Sequence, residues 1–281
     1  MTDEVEWRTE IAEVQADDVI IRGHRLSELV GTVSFAEMVS LVLTGRLPTP
    51  GAAKMIDAVL VSLVDHGIVP SSIITRTLVS CGTPIQAAIA GGALSIADYH
   101  GGAGEALARV LVEVVEDAGG DDARLHELCV QTVARYRRAG RRFEGFGHPQ
   151  HGEGDPRAVQ LSELAREWGV AGPHLRALEI LGEVLTQSLK RPMRANINGA
   201  LAAIMMDLGF PWEAVRGLVI APRTVGLTAH VVEELAQGNR WRHAPAERIE
   251  YTGPYPEADA VAVDTAKQSP LELSVVMNGC S

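Results

Sequence analysis

Two short stretches hold the residue types best suited to chemistry. Gly145-Phe146-Gly147-His148 runs, after a short loop, into Asp155-Pro156-Arg157, and Tyr99-His100-Gly101-Gly102-Ala103 lies upstream. Each puts a histidine beside glycines, where a backbone can approach a ligand closely. Arg157 adds a guanidinium suited to a carboxylate or phosphate. A second arginine, Arg223, follows Pro222. Proline is at home on the first turn of a helix, so this spacing predicts an arginine beside a helix N-terminus, an anion site. Together these residues imply a site for an acidic substrate, with histidines that move protons or hold an oxyanion. A metal centre is not expected. No HExxH or CxxC occurs, and His148 and His151 sit in a glycine loop rather than at helical spacing.

The elements that must position these residues read as helical. Ser34-Phe35-Ala36-Glu37 is a capping box. It opens an apolar run that stops at Gly45. Helical periodicity also spans 51–65, 84–98, 104–118, 122–139, 156–168, 173–189, 196–208 and 222–237. Breaks fall at Pro70, Gly82-Thr83-Pro84, Gly119-Gly120, Gly172-Pro173 and Gly209-Phe210-Pro211. Only Asp18 to Arg22 resembles a strand. The fold class is therefore all-α. The small residues of Ala87-Ala88-Ile89-Ala90-Gly91-Gly92-Ala93 predict a helix that lets another backbone come close, inside one subunit or at a dimer contact.

Bulk properties narrow the function. The 281 residues carry a formal charge of −11, which argues against nucleic acid or an anionic membrane as partner. Cys81, Cys129 and Cys280 are widely spaced and read as free thiols in a reducing compartment, Cys81 and Cys129 as buried packing residues. With no visible signal peptide, the expected location is cytoplasmic.

From about Asp18 to Pro254 the chain resembles the citrate synthase superfamily, which includes citryl-CoA lyases. The glycine-histidine stretch with Asp155-Pro156-Arg157, the His100-Gly101-Gly102-Ala103 turn, Arg223-Thr224-Val225-Gly226 with Ala229-His230 and Glu233, and Glu250-Tyr251-Thr252-Gly253-Pro254 are similar to its motifs. Asp65-His66-Gly67 with Pro70-Ser71 is similar to the citryl-CoA lyase version. The chain also lacks the N-terminal extension of full-length bacterial citrate synthases, as expected of the shorter lyase-type members.

The resemblance implies a two-domain helical homodimer, with 1–100 and 209–281 in the large domain and 101–208 in the small one. It implies a carbon–carbon bond made or cleaved between an acyl-CoA such as acetyl-CoA and a 2-oxoacid such as oxaloacetate, with the CoA thioester as substrate and no further cofactor. His100 would stabilise the enol and His148 would serve the ketone or tertiary alcohol. His66, Arg157, Arg223 and Arg242 would bind substrate, with Arg242 standing for an arginine that the partner subunit supplies. Arg141, Arg142, Lys190 and Arg194 are candidates for the CoA phosphates.

One residue departs from the family pattern. The family places a carboxylate base in an Asn-Val-Asp motif, and this chain reads Asn196-Ile197-Asn198-Gly199. An amide cannot accept a proton from a thioester methyl group at neutral pH. Three consequences stay open: an enzyme working mainly in cleavage, a different substrate, or a non-catalytic acyl-CoA or citrate-binding homologue. A shifted register making Asp207 the base is disfavoured, because Asn196 and Gly199 hold the alignment.

Overall fold

The computed structural model describes residues 6–147 and 154–254. Those up to Arg242 make one compact unit, and those from His243 on make a second. In the first unit, β1 (Ala12–Val14), β2 (Val19–Ile21) and β3 (His24–Arg25) form a small antiparallel sheet. The expected strand around Val19 is thus the middle of three.

Helices follow, with termini set largely by local chemistry. After the short α1 (Leu26–Leu29), α2 (Phe35–Thr44) begins with the reciprocal Ser34–Glu37 capping box and ends at Gly45 in the left-handed region. α3 (Pro50–Leu63) starts on a Thr49 cap with proline at its first position. Next come α4 (Pro70–Ser80), α5 (Ile85–Leu94), α6 (Ala103–Ala118) and α7 (Asp122–Arg138). They are followed by α8 (Pro156–Glu167), α9 (Pro173–Leu189), α10 (Ile197–Asp207) and α11 (Val215–Gln237). The second unit contains a 3-10 turn at Ala246–Arg248, and the Tyr251 hydroxyl donates to the Pro254 carbonyl at 2.9 Å.

The main core surrounds α10. Every residue from Gly199 to Met206 is buried, as expected of a helix that is apolar on all sides. It packs against α6, α8 and α9. A second, smaller cluster joins Val79 of α4, Ala88 of α5 and Val231 of α11.

Three expectations are corrected. Pro70 marks a boundary as expected, but it opens a further helix, α4, which hydrophobic periodicity missed. Its buried face is Ser71, Ser72, Thr75, Arg76, Val79 and Ser80, polar at all but one position. Pro222 lies inside α11 rather than at its start. The buried Val215, Leu218, Val219 and Pro222 already have helical spacing, and tertiary packing carries the helix past the proline. Arg223 therefore does not stand on the first turn of its helix. Cys81 is exposed, whereas Cys129 is buried as expected.

The small-residue stretch of α5 packs within the subunit. A Cβ on Gly91 would overlap Leu78, and one on Gly92 would overlap Thr75 and lie 2.8 Å from the Ser71 carbonyl. The two glycines let α5 lie directly on α4.

Candidate active site

His100 sits in the turn between α5 and α6. Its Nε2 lies 3.0 Å from the Ser71 hydroxyl on the buried face of α4. Gly101 holds the turn at a φ of 81°, a left-handed conformation that favours glycine. A Cβ on Gly102 would come within 2.7 Å of the Ala97 carbonyl, so the sequence His-Gly-Gly is needed for the turn to close. Burial, then the charges of Arg223 and His66, push the His100 imidazole below its ordinary value. The ring is held neutral, and its Nδ1 makes no hydrogen bond among the described residues.

Arg223 is buried on α11, and its Nε donates to the Leu63 carbonyl at 3.1 Å. Burial lowers its pKa, the Asp65 charge opposes this, and Arg157 lowers it further. Two guanidiniums that feel each other, with His100 nearby, make a region of positive potential in an acidic protein. The structure thus brings His66, His100, Arg157 and Arg223 into one electrostatic neighbourhood. Asp65 anchors the His66 turn by accepting the Gly67 amide at 2.7 Å.

Asp155 does three things at once. It caps α8, with the Arg157 amide at 3.1 Å. Its carboxylate takes the Arg157 guanidinium in a two-point pair, at 3.0 Å and 2.8 Å. It also accepts the Ile197 amide at the start of α10, at 3.0 Å. Burial pushes this carboxyl up, but Arg157 and Ile197 outweigh it and hold the group below its ordinary range. Asn196 then caps α10, its Oδ1 accepting the amides of Asn198 at 3.0 Å and Gly199 at 3.3 Å. Its Nδ2 donates to the Gly147 carbonyl at 2.8 Å.

The glycine stretch and the segment before α10 run as a short ladder. Asn196 N donates to Gly145 O, and Gly147 N to Arg194 O, each at 2.9 Å. Gly199 makes the contact possible, since a Cβ there would come within 2.5 Å of the Gly145 carbonyl. Gly147, which precedes His148, is thereby tied to the N-terminus carrying Asn198. His148 itself lies outside the described residues. The half-buried Asn198 side chain makes no hydrogen bond among the described residues. Asp207 accepts the amides of Gly172, His174 and Leu175 at 2.8–3.0 Å, so it is occupied at the start of α9 and is no substitute base.

Beside this ladder is a cavity of about 520 Å³. Arg141, Arg142 and Arg194 line it, together with Arg137 and Arg191. Its wall also holds an aromatic group, with Phe143 centred 4.6 Å from Tyr136 and 5.8 Å from Phe146. Lys190 is not on this wall; it ends α9 with a φ of 54°. Arg242 is engaged with Glu234, and its backbone amide donates to Ser80 Oγ at 3.0 Å.

Sequence reasoning gave no role to Ser71 and missed the structural role of Asp155, and Arg137 and Arg191. Asp155 was visible as an acidic residue before Pro156, a capping signal. Ser71 was read only within the Pro70-Ser71 motif, and no short spacing paired it with His100. Among the described residues no group of three or more His, Cys, Asp or Glu side chains could hold a metal ion. No helix there is long and apolar enough to cross a membrane.

A helical fold sets two arginines and a histidine of lowered pKa near one glycine turn. Comparison with known proteins gives the family. Residues 48–244 match the model of the citrate synthase C-terminal domain. The chain is 31% identical over 218 residues to putative citrate synthase 2 of Mycobacterium tuberculosis, covering 75% of this chain and 54% of that one. It is 28% identical over 228 residues to citrate/2-methylcitrate synthase of Bacillus subtilis, covering 79% and 57%. The chain thus spans a little over half the length of these curated relatives. Among solved structures, the citryl-CoA lyase of Hydrogenobacter thermophilus aligns with a TM-score of 0.82 and 34% identity, covering 90% of this chain and 96% of that one. ATP citrate lyase from Methanothrix soehngenii shares the fold, with a TM-score of 0.77 and 23% identity over 92% and 43%. This chain belongs to the citrate synthase family.

Proposed function

We propose that the protein makes or cleaves a carbon–carbon bond between an acyl-CoA and a 2-oxoacid, and that cleavage of a citryl-CoA-type thioester is the favoured direction. The observation that carries this reading is the shared neighbourhood of His66, neutral His100, Arg157 and Arg223. The coverage of the citryl-CoA lyase along nearly its whole length, and the Asp65-His66-Gly67 turn, favour cleavage.

Arg157 and Arg223 clamp the carboxylates of the substrate, with His66 beside them. His148, by its place in the motif, takes the proton of the tertiary alcohol. As the carbon–carbon bond breaks, its electron pair enters the thioester and leaves an enolate, while the alcohol carbon becomes the ketone of oxaloacetate. His100 donates from Nδ1 to the enolate oxygen. Ser71 supports this by donating its hydroxyl to Nε2, which selects the required tautomer. A neutral imidazole suits this task, because its N–H is a weak acid that can hold an oxyanion by hydrogen bond and keep its proton. The Asn198 amide adds a second donor, and water protonates the enolate carbon to give acetyl-CoA.

The arginine-lined cavity suits CoA. Arg141, Arg142 and Arg194 would meet its phosphates, Arg137 and Arg191 would add to them, and the aromatic group would accept the adenine. The CoA thioester is substrate, and the chemistry requires no other cofactor. A homodimer fits the exposed apolar side chains of Leu94 on α5 and Val225, Val232 and Leu235 on α11. Residues 101–208 would then be the small domain that closes on the large one, in a cytoplasmic enzyme.

The test is to follow acetyl-CoA release from citryl-CoA, and CoA release from acetyl-CoA plus oxaloacetate, in wild type and Asn198→Asp. Wild type should cleave citryl-CoA. Restoring a positioned base should raise condensation and its reverse alike, by roughly 10²–10⁴, because one barrier serves both directions. Activity in neither direction, with citrate still bound tightly, would favour the non-catalytic binder that the missing carboxylate suggests.

A further inference from the structure

His230 lies on α11, seven residues beyond Arg223, and both of its ring nitrogens are engaged. Nδ1 is 3.2 Å from Nη1 of Arg76, and Nε2 is 3.1 Å from Oδ1 of Asp65. A guanidinium has donors and no acceptor. Nδ1 must therefore present its lone pair to Arg76, and the ring proton sits on Nε2, aimed at Asp65. Asp65 is then held at both oxygens, by His230 on Oδ1 and by the Gly67 amide on Oδ2 at 2.7 Å. The turn between these anchors carries His66.

Arg76 is itself immobilised. Its side chain is buried, with Nε 2.6 Å from Glu234, Nη2 2.9 Å from Gln237, and Nη1 paired with Glu233. The turn is also pressed onto α11. A Cβ at Gly226 would overlap the Val64 carbonyl and lie 3.2 Å from Asp65. The Asp65 carboxylate supports the positive charge of the buried Arg223.

We propose that Arg76, His230 and Asp65 form a positioning relay that orients the His66 turn, and so sets the affinity for the dicarboxylate half of the substrate. This rests on the reading of His66 and Arg223 as substrate-binding residues. His230 touches no substrate in it, because neither ring nitrogen is available.

Two variants separate the relay from packing. In His230→Asn the amide oxygen replaces Nδ1 and still accepts from Arg76, but the side chain is too short for Asp65. In His230→Gln the longer amide can donate to Asp65. His230→Asn should raise KM for oxaloacetate and Kd for citrate about tenfold, the loss of one charge-assisted hydrogen bond. Its kcat should change far less, and His230→Gln should recover most of the affinity. In protein labelled with 15N-histidine, His230 should show the Nε2–H tautomer. Unchanged KM and Kd in His230→Asn, equal losses in both variants, or an Nδ1–H tautomer would overturn the relay while leaving the function standing. His100→Ala, run alongside, should lose turnover and keep citrate binding. If it retains wild-type turnover, or if the wild type neither binds citrate nor reacts, the functional reading fails and the relay falls with it.

Discussion

Replacing Asp155 with asparagine keeps its volume and removes its charge. The carboxylate accepts two bonds from the Arg157 guanidinium, one from the Arg157 amide and one from the Ile197 amide. An asparagine can present one oxygen to these donors, while its NH2 faces a cation. Breaking a buried pair by removing one partner costs ~3–5 kcal/mol. Arg157 keeps 23% of its side chain exposed and can recover some hydration, so the lower end, about 3 kcal/mol, is expected. At roughly 2–4 °C per kcal/mol for a chain of this size, Tm should fall by about 6–12 °C.

The functional loss should be larger than the stability loss suggests. Freed Arg157 no longer presents a fixed fork to a carboxylate, and the N-terminus bearing Asn198 loses its anchor. KM for the 2-oxoacid should rise at least tenfold, by the same reasoning on charged hydrogen bonds. The sign of the pH dependence follows from the depressed carboxyl. Its stabilisation is fully present above the ordinary value of 3.8 and is lost as pH falls through the lower folded value. The Tm gap between wild type and Asp155→Asn should therefore be constant from neutral pH down to about 3.8 and narrow between there and the lower folded value. Thermal melts across this range and steady-state kinetics check both parts. A Tm change within about 2 °C together with an unchanged KM would refute the assignment of Asp155 as the joint between Arg157 and α10.

Two further outcomes follow from the geometry. The His100 imidazole should titrate below 6.5, because burial and the charges of Arg223 and His66 disfavour its cation. Protonating it costs the folded state more than the unfolded one, so stability and activity should both decline as pH falls through that lower value; an NMR titration placing it above 6.5 would contradict the site electrostatics. Iodoacetamide at mildly alkaline pH should modify exposed Cys81 quickly and spare Cys129, whose thiol burial pushes up to about 12. Peptide mass mapping before and after unfolding reads this directly.

Much of the helical frame was legible locally. Caps and stops at Ser34, Gly45, Asp155-Pro156 and Gly172-Pro173 act within a few residues, and helix termini follow from short-range hydrogen bonding and φ preference. The two exceptions share one cause. α4 hides polar side chains, so its apolar pattern is absent. It folds as a helix because Ser71, Ser72, Thr75 and Arg76 each find partners. α11 continues through Pro222 because packing against the core outweighs a missing backbone hydrogen bond. In both, contacts remote in sequence decided what local pattern could not.

The candidate site divides the same way. Residue types and short spacings identified His100, Arg157, Arg223 and the anomalous Asn198, since glycine turns and caps announce themselves over a few positions. They misplaced Arg223 relative to a helix end and said nothing of Ser71 meeting His100, of Asp155 reaching Ile197, or of His230 reaching back to Asp65. Those pairs are separated by 29, 42 and 165 residues. Only the closed helical core brings them within hydrogen-bonding distance, and there burial makes each remaining polar contact specific. The chemistry on offer is therefore written in the linear chain, whereas protonation state, tautomer and the aim of each charged group come from side chains that meet only after folding.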